Sequence, residues 1–217
     1  MNRQNRNNLP LSRIDWSRRQ RGCETTNQST VYKIFIDQGH NPQNPNAGAE
    51  ANGVREQDVT YEVGIRLAEL LRENPNFEVR LSRNSPTEQL GTSNATSLAA
   101  RVNAANSWGA DYFISLHCNA STVTTASGSE AYVYSVGSAA YYLGEQILAG
   151  LNYATGLPNR GVRTNPSLYV LRRTRMPAVL VEMGYLTNPY DAALLSSDPQ
   201  SFARGIYSGI LDYLNIP

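Results

Sequence analysis

The sequence predicts an α/β fold: a three-layer sandwich with a mostly parallel sheet flanked by helices on both faces. Three observations lead there. Strand-like runs alternate with helix-like runs from residue 31 onward, the pattern that βα units produce. The run YFISLH is almost continuously apolar, as a strand buried on both faces must be. The run after Glu56 instead carries one apolar stripe, Val59, Val63, Leu67, Leu70 and Leu71, which is helical spacing.

The elements follow in order. Val31–Asp37 reads as a strand, β-branched and aromatic, and residues 38–55, rich in Asn, Gly, Pro and Ala, read as a long loop. Glu56–Asn74 reads as a helix and Phe77–Ser82 as a short strand. Asn84–Ser97 is polar and turn-rich; Leu98–Trp108 reads as a helix closed by Gly109, a residue that tolerates the left-handed conformation at a helix end. Tyr112–His117 is the buried strand, Ser121–Gly128 a small polar loop and Glu130–Ser135 another strand. Ser138–Thr155 reads as a helix stopped by Gly156, Leu168–Leu171 as a short strand, Ala178–Glu182 as the last buried strand and Pro199–Leu214 as the closing helix. The chain has no internal repeat.

Its 217 residues suit one domain with a sizeable core. Formal charge is +1 but unevenly spread: residues 1–30 hold six Arg against Asp15 and Glu24, a net +4, leaving about −3 for the rest. Residues 1–30 are therefore expected to form a basic, flexible segment with little to bury, or an electrostatic arm for anionic polymers or lipid headgroups. Residues 31–217 are expected to form the catalytic domain. A folded part that is not basic speaks against nucleic acid as a partner. The two cysteines, Cys23 and Cys118, make no disulfide framework, although one bridge between them is conceivable. No apolar run reaches the ~18 residues of a membrane-spanning helix. The basic N-terminus has no apolar stretch of a secretory signal behind it.

Chemistry enters through the two histidines. His40 ends KIFIDQGH and His117 nearly ends ADYFISLHCNA; Glu182 takes the same place in MPAVLVEMGYLTN. In a parallel sheet, residues just past the strand ends meet in one crevice, so two imidazoles and a carboxylate there read as a metal or acid–base site. Zinc favours His nitrogen plus carboxylate and keeps a position for water in catalytic sites. For the third ligand, Glu56 fits better than Glu50 or Glu62: it opens the helix, where a carboxylate complements the helix dipole and faces the crevice. Glu182, costly to bury unless used, suits a general base that then becomes a general acid. Each has a plainer reading: a hydrogen-bonded structural His, an acid decorating a helix start, a carboxylate satisfied by backbone or Arg.

Together these motifs match a family. IFIDQGH, an acid opening the next helix, Arg83 and Arg101 ahead of an AAN segment, DYFISLHCNA and LVEMGYLTN, in this order from about residue 31 to the C-terminus, resemble the zinc-dependent N-acetylmuramoyl-L-alanine amidases of the Amidase_3 type. The resemblance implies a Zn2+ hydrolase that cuts the amide between the lactyl group of N-acetylmuramic acid and L-alanine in peptidoglycan. It makes His40, Glu56 and His117 the metal ligands and Glu182 the catalytic glutamate. Gln38 and Asn41 replace a Pro and a Gly common beside the first His in the family, and Thr60 stands where an Asn is usual; none of these is a ligand.

Arg83 and Arg101 match family positions, and an Arg at the cleft would pair with substrate carboxylates; each also reads as a structural ion pair. Asn119 is a candidate for hydrogen bonding the peptide, and Asp37 for orienting an imidazole. Cys118 alternates away from the site on its strand. Some family members carry a long insertion that blocks the metal. With only the eight residues Ser121–Gly128 between the second ligand motif and the next strand, the resemblance implies a site that is open without an activator. The expected partner is peptidoglycan, the expected state a monomer and the expected location the cell envelope or outside the cell, in periplasm or cell wall. Competing readings are another zinc peptidase or deacetylase acting on wall fragments, and a non-catalytic wall-binding module.

Overall fold

The computed structural model describes residues 30–217. The readings of residues 1–29 as a flexible segment or arm, and any pairing of Cys23, lie outside the described residues. The described chain opens with strand β1 (Tyr32–Gln38), a two-residue hairpin β2 (Glu50–Ala51) and β3 (Val54–Arg55), and helix α1 (Glu56–Glu73). It continues with β4 (Phe77–Leu81), α2 (Asn94–Trp108), β5 (Tyr112–Asn119), β6 (Ser129–Val133) and α3 (Ala139–Thr155). β7 (Asn159–Thr164), α4 (Tyr169–Arg173), β8 (Ala178–Tyr185), α5 (Pro189–Ser197) and α6 (Pro199–Leu214) complete it.

Six strands form one sheet in the order β4-β1-β5-β8-β6-β7. β4, β1, β5 and β8 are parallel, whereas β6 runs antiparallel to β8 and β7 parallel to β6. Strand alternation divides the interior in two. Ile34, Ile36, Ile114, Leu116, Val179 and Val181 face α1, α3 and α6 in the larger core. Phe35, Phe113, Ala178 and Leu180 point the other way, with Val102 and Ala105 of α2 and Val170 and Leu171 of α4, in a smaller one. Fewer and shorter helices cover this second face.

The structure departs from the sequence reading at five places. Leu168–Leu171 is not a strand: residues Tyr169–Arg173 form one turn of helix that buries Val170 and Leu171, because packing overrides the β propensity of Leu-Tyr-Val-Leu. β7 was not foreseen; its sequence NRGVRT lies half in solvent and has no apolar run to read. α5, also unforeseen, starts on Asn188, which caps Tyr190 and Asp191 ahead of Pro189 at the first position. α2 begins at Asn94 rather than Leu98, since Ser93 and Thr96 form a reciprocal capping box. The loop after β1 contains the β2–β3 hairpin.

α3 and α6 approach backbone to backbone. A Cβ added at Gly209 would stand 2.5 Å from the Gln146 carbonyl oxygen and 2.5 Å from Ile147 Cα, and one at Gly150 would strike the Gly205 carbonyl oxygen. Backbone cannot yield as a side-chain tip can. Gly209→Ala is expected to cost roughly 1–3 kcal/mol by forcing the helices apart. That would appear in thermal unfolding as about 2–4 °C lost per kcal/mol. A melting temperature equal to wild type would show that the two helices separate without penalty.

Candidate metal centre

His40 follows β1 in the left-handed region, at φ 69°, an uncommon conformation for a non-glycine residue. The preceding Gly39 makes this turn possible. Its N–H donates to the Leu116 carbonyl at 3.0 Å, and a Cβ there would lie 2.6 Å from the His117 ring. The two imidazoles thus sit edge to face, with centroids 4.8 Å apart.

Glu56, the first residue of α1 and 4% exposed, lies between them. Its Oε1 is 3.1 Å from His40 Nε2 and 3.0 Å from His117 Nδ1. The same oxygen accepts the Cys118 N–H at 2.9 Å, and Oε2 accepts the Ala49 N–H at 2.9 Å. These bonds fix the carboxylate before any ligand arrives. Burial alone would raise the Glu56 pKa, but hydrogen bonds and charge from His117 and His40 together hold it well below the usual range. One donor atom from each of His40, Glu56 and His117 falls within 4.8 Å of the other two. Two nitrogens and an ionised oxygen aimed at one point fit a divalent transition metal.

Glu182 belongs to the same row of the sheet. It pairs in register with His117 on β5 and with Glu130 on β6, and alternation puts all three on the lightly covered face. The residue is partly open to the cleft, yet its Oε2 is buried with no hydrogen-bond partner among the described residues. Burial, then the charges of Glu56 and Glu130, push its pKa to about 8. A carboxyl that holds its proton near neutrality suits acid–base exchange.

Arg83 and Arg101 are not in the cleft. Each is 1% exposed. Arg101 donates to Asp37 Oδ1 at 2.7 Å, to the Gln38 carbonyl at 2.6 Å and to the His40 carbonyl at 2.5 Å. Arg83 donates to the Gln57 carbonyl at 2.8 Å and packs over the Tyr61 ring. Both brace the loops that carry the site, and neither can reach substrate. Asp37 does not orient an imidazole; it holds Arg101 and the Ser115 hydroxyl. Asn119 lies at the cleft where the β5–β8 register shifts, and its Nδ2 donates to Glu130 Oε1 at 2.6 Å. Cys118 is buried in the larger core and unpaired among the described residues.

Sequence reasoning missed Glu130. It is 3% exposed, accepts the Tyr132 hydroxyl at 3.0 Å and meets Arg160 and Arg163 of β7 at 3.5 and 3.3 Å. Glu130 precedes its apolar run AYV instead of ending it, and only the antiparallel course of β6 against β8 brings it to the cleft, so the sequence carried no signal for it.

Comparison with known proteins places the chain in a family. Residues 34–212 match the model of the Amidase_3 family, N-acetylmuramoyl-L-alanine amidase. The chain belongs to this family. It is 40% identical over 194 residues to the N-acetylmuramoyl-L-alanine amidase CwlM of Bacillus licheniformis, covering 86% of this chain and 70% of that one. It is 37% identical over 190 residues to the sporulation-specific N-acetylmuramoyl-L-alanine amidase of Bacillus subtilis, covering 86% and 69%. The catalytic domain of CwlV from Bacillus (Paenibacillus) polymyxa superposes with a TM-score of 0.75 at 31% identity, covering 86% of this chain and all of that one. As an Amidase_3 enzyme the protein is a hydrolase of the peptidoglycan amide, and its role lies in the cell envelope or outside the cell. No helix among the described residues is long and apolar enough to cross a membrane.

The Glu182 environment has a measurable consequence in chelator-treated amidase. The folded state keeps a proton up to about pH 8 that the unfolded state releases near 4.5. Folding therefore binds a proton in this window, and stability falls as pH rises from about 5 to about 8. Glu56, whose folded pKa is depressed, contributes in the other direction and only as pH falls through the usual carboxylate range. Denaturant unfolding at pH 5 and pH 8 is expected to show the decline in wild type and a smaller one in Glu182→Gln. Equal slopes would mean that Glu182 ionises freely in the fold.

Proposed function

We propose that residues 31–217 form a monomeric zinc amidase domain in which His40, Glu56 and His117 hold the metal and Glu182 moves the proton. The observation that carries this reading is the convergence of His40 Nε2, His117 Nδ1 and Glu56 Oε1, with Glu182 in register beside His117. Two imidazoles and one carboxylate are the donor set of hydrolytic zinc sites. When bound, zinc supplies Lewis acidity toward the scissile carbonyl and acidifies water to a pKa of roughly 7. The chain's residues do the rest. Glu182, in its ionised form, accepts a proton from the attacking water and then donates it to the departing alanine nitrogen. The amide C–N bond breaks, leaving a lactyl carboxylate and a peptide amine. Asn119 and Tyr132 steady Glu130 and leave its charge beside Glu182. No Ser or Cys nucleophile is required.

Residues between β5 and β6 form turns and no helix, and Ser127 and Gly128 are tied to Asp191. That supports a cleft that is active without a released plug. The site of action would be periplasm or cell wall.

Two outcomes test the reading. Elemental analysis is expected to find about one zinc per chain, and His40→Ala, His117→Ala or Glu56→Ala to lose most of it, since two remaining protein ligands hold zinc poorly. Full zinc in all three variants would remove the metal assignment.

Glu182→Gln is expected to keep the fold and the zinc but lose about 10²–10⁴-fold in turnover, the usual worth of general acid–base help. The loss should fall on kcat rather than KM, because the proton moves only in the transition state. The measurement is release of peptide amine from purified peptidoglycan by zinc-loaded protein. Activity within about threefold of wild type would make Glu182 structural.

A further inference from the structure

The acidic row across the sheet ends on two arginines that the hydrolytic chemistry leaves unused. His117, Glu182 and Glu130 occupy neighbouring strands in register. Beyond them, on edge strand β7, Arg163 pairs in register with Tyr132, two residues from Glu130 and on the same face. Arg160 and Arg163 both approach one oxygen, Glu130 Oε2, through their Nε atoms at 3.5 and 3.3 Å. One buried carboxylate thus restrains two guanidinium groups, which together still carry a net positive charge. Arg160 also lies over the Tyr185 ring and donates to the Ser127 carbonyl. The Arg163 side chain is 53% exposed, and its terminal amines have no hydrogen-bond partner among the described residues. A guanidinium presents a fork that matches a carboxylate.

We infer that Arg163, steadied together with Arg160 by Glu130, anchors a free carboxylate on the peptide side of the scissile amide and so sets a preference for stem peptides that retain it. This rests on the reading of His40, Glu56, His117 and Glu182 as the hydrolytic centre. Reach selects the carboxylate. Arg163 Nε is held 3.3 Å from Glu130 Oε2, and Glu130 pairs directly with Glu182, so the fork stands between one and two strand spacings from β8, roughly 5–10 Å. An extended peptide covers that span in about two to three residues at ~3.3–3.6 Å each, and the first free carboxylate met on the way is the α-carboxylate of the γ-linked glutamate. Charge points the same way: two guanidinium groups against the single Glu130 carboxylate leave a positive charge at this edge of the sheet. Arg83 and Arg101 are buried and committed elsewhere.

Three substrates test this with zinc-loaded protein: MurNAc-L-Ala-γ-D-Glu-L-Lys, the same compound with the glutamate α-carboxyl as carboxamide, and the same compound with only the terminal lysine carboxyl as carboxamide. Wild type is expected to show a KM for the glutamate carboxamide about tenfold or more above the other two, the worth of a charge-assisted hydrogen bond pair, with kcat little changed. In Arg163→Gln that ratio should fall toward one, and Arg163→Lys, with a point charge but no fork, should fall between. A wild-type KM that ignores the glutamate carboxamide, or one that responds only to the lysine carboxamide, overturns the inference. So does an Arg163→Gln that raises KM for all three substrates equally, with Arg163→Lys doing the same. Calorimetric titration of wild type with the product tripeptide and its glutamate carboxamide reads the anchor without turnover. Discrimination in binding with no cleavage would sink the hydrolytic reading and leave the anchor; cleavage without discrimination would do the reverse.

Discussion

The buried pair of Arg101 and Asp37 is the constraint on which the site depends. Both side chains are 1% exposed and meet at 2.7 Å. Burial by itself would raise the Asp37 pKa; the charge and hydrogen bond of Arg101, with a bond from Ser115, bring it below the usual value instead. Arg101 then donates onward to the carbonyls of Gln38 and His40. A guanidinium taken out of water must find acceptors for its N–H groups, and these are the carbonyls of the turn that points His40 at the cleft. Removing one partner would strand a charge in the interior, which typically costs about 3–5 kcal/mol. The ion pair thus orders a loop whose own sequence, rich in Asn, Pro and Gly, has little hydrophobic reason to hold one shape.

Sidedness of the sheet supplies the second requirement. Strand alternation sends Ile34, Ile36, Leu116 and Val181 into the core beneath α1, α3 and α6, and sends Asp37, Ser115, His117 and Glu182 to the opposite face. That face is covered by α2 and the single turn of α4, so the carboxyl ends of β1, β5 and β8 open to solvent there. Glu56 comes from the other direction, at the start of α1. Its carboxylate is held by backbone N–H groups of Ala49 and Cys118. Rigid strands and a helix start therefore carry the functional groups, and only His40 relies on a loop.

Reversal of β6 and β7 changes what lies beyond Glu182. Because β6 runs antiparallel to β8, its first residues lie at the cleft end of the sheet. Glu130 thereby comes beside Glu182, and β7 brings Arg160 and Arg163 after it. Burial and the Glu56 charge raise the Glu182 pKa first; the further acid that adds to them, Glu130, and the cations that balance it enter from one local change of strand direction.

The legible part of this protein was periodic or compositionally rare. Three buried strands, the stripe of α1 and the closing helix Pro199–Leu214 were evident in the sequence, because apolar period follows directly from which face is buried. The only two histidines stood at equivalent strand ends, and Glu56 stood at a helix start, so a cluster of these groups followed from topology alone. What remained hidden depended on contacts between distant segments. β7 is a polar edge strand without an apolar pattern, and α4 is helical because its two apolar residues pack under α2. In sequence Arg83 and Arg101 read equally as cleft residues for substrate carboxylates or as structural ion pairs, and the fold closes over them, since only tertiary structure decides whether a guanidinium meets substrate or a buried carbonyl. The sequence by itself determined the α/β layering and the chemical types at the strand ends. The tertiary structure decided which charges are solvated, because solvation depends on what the rest of the chain places over each group.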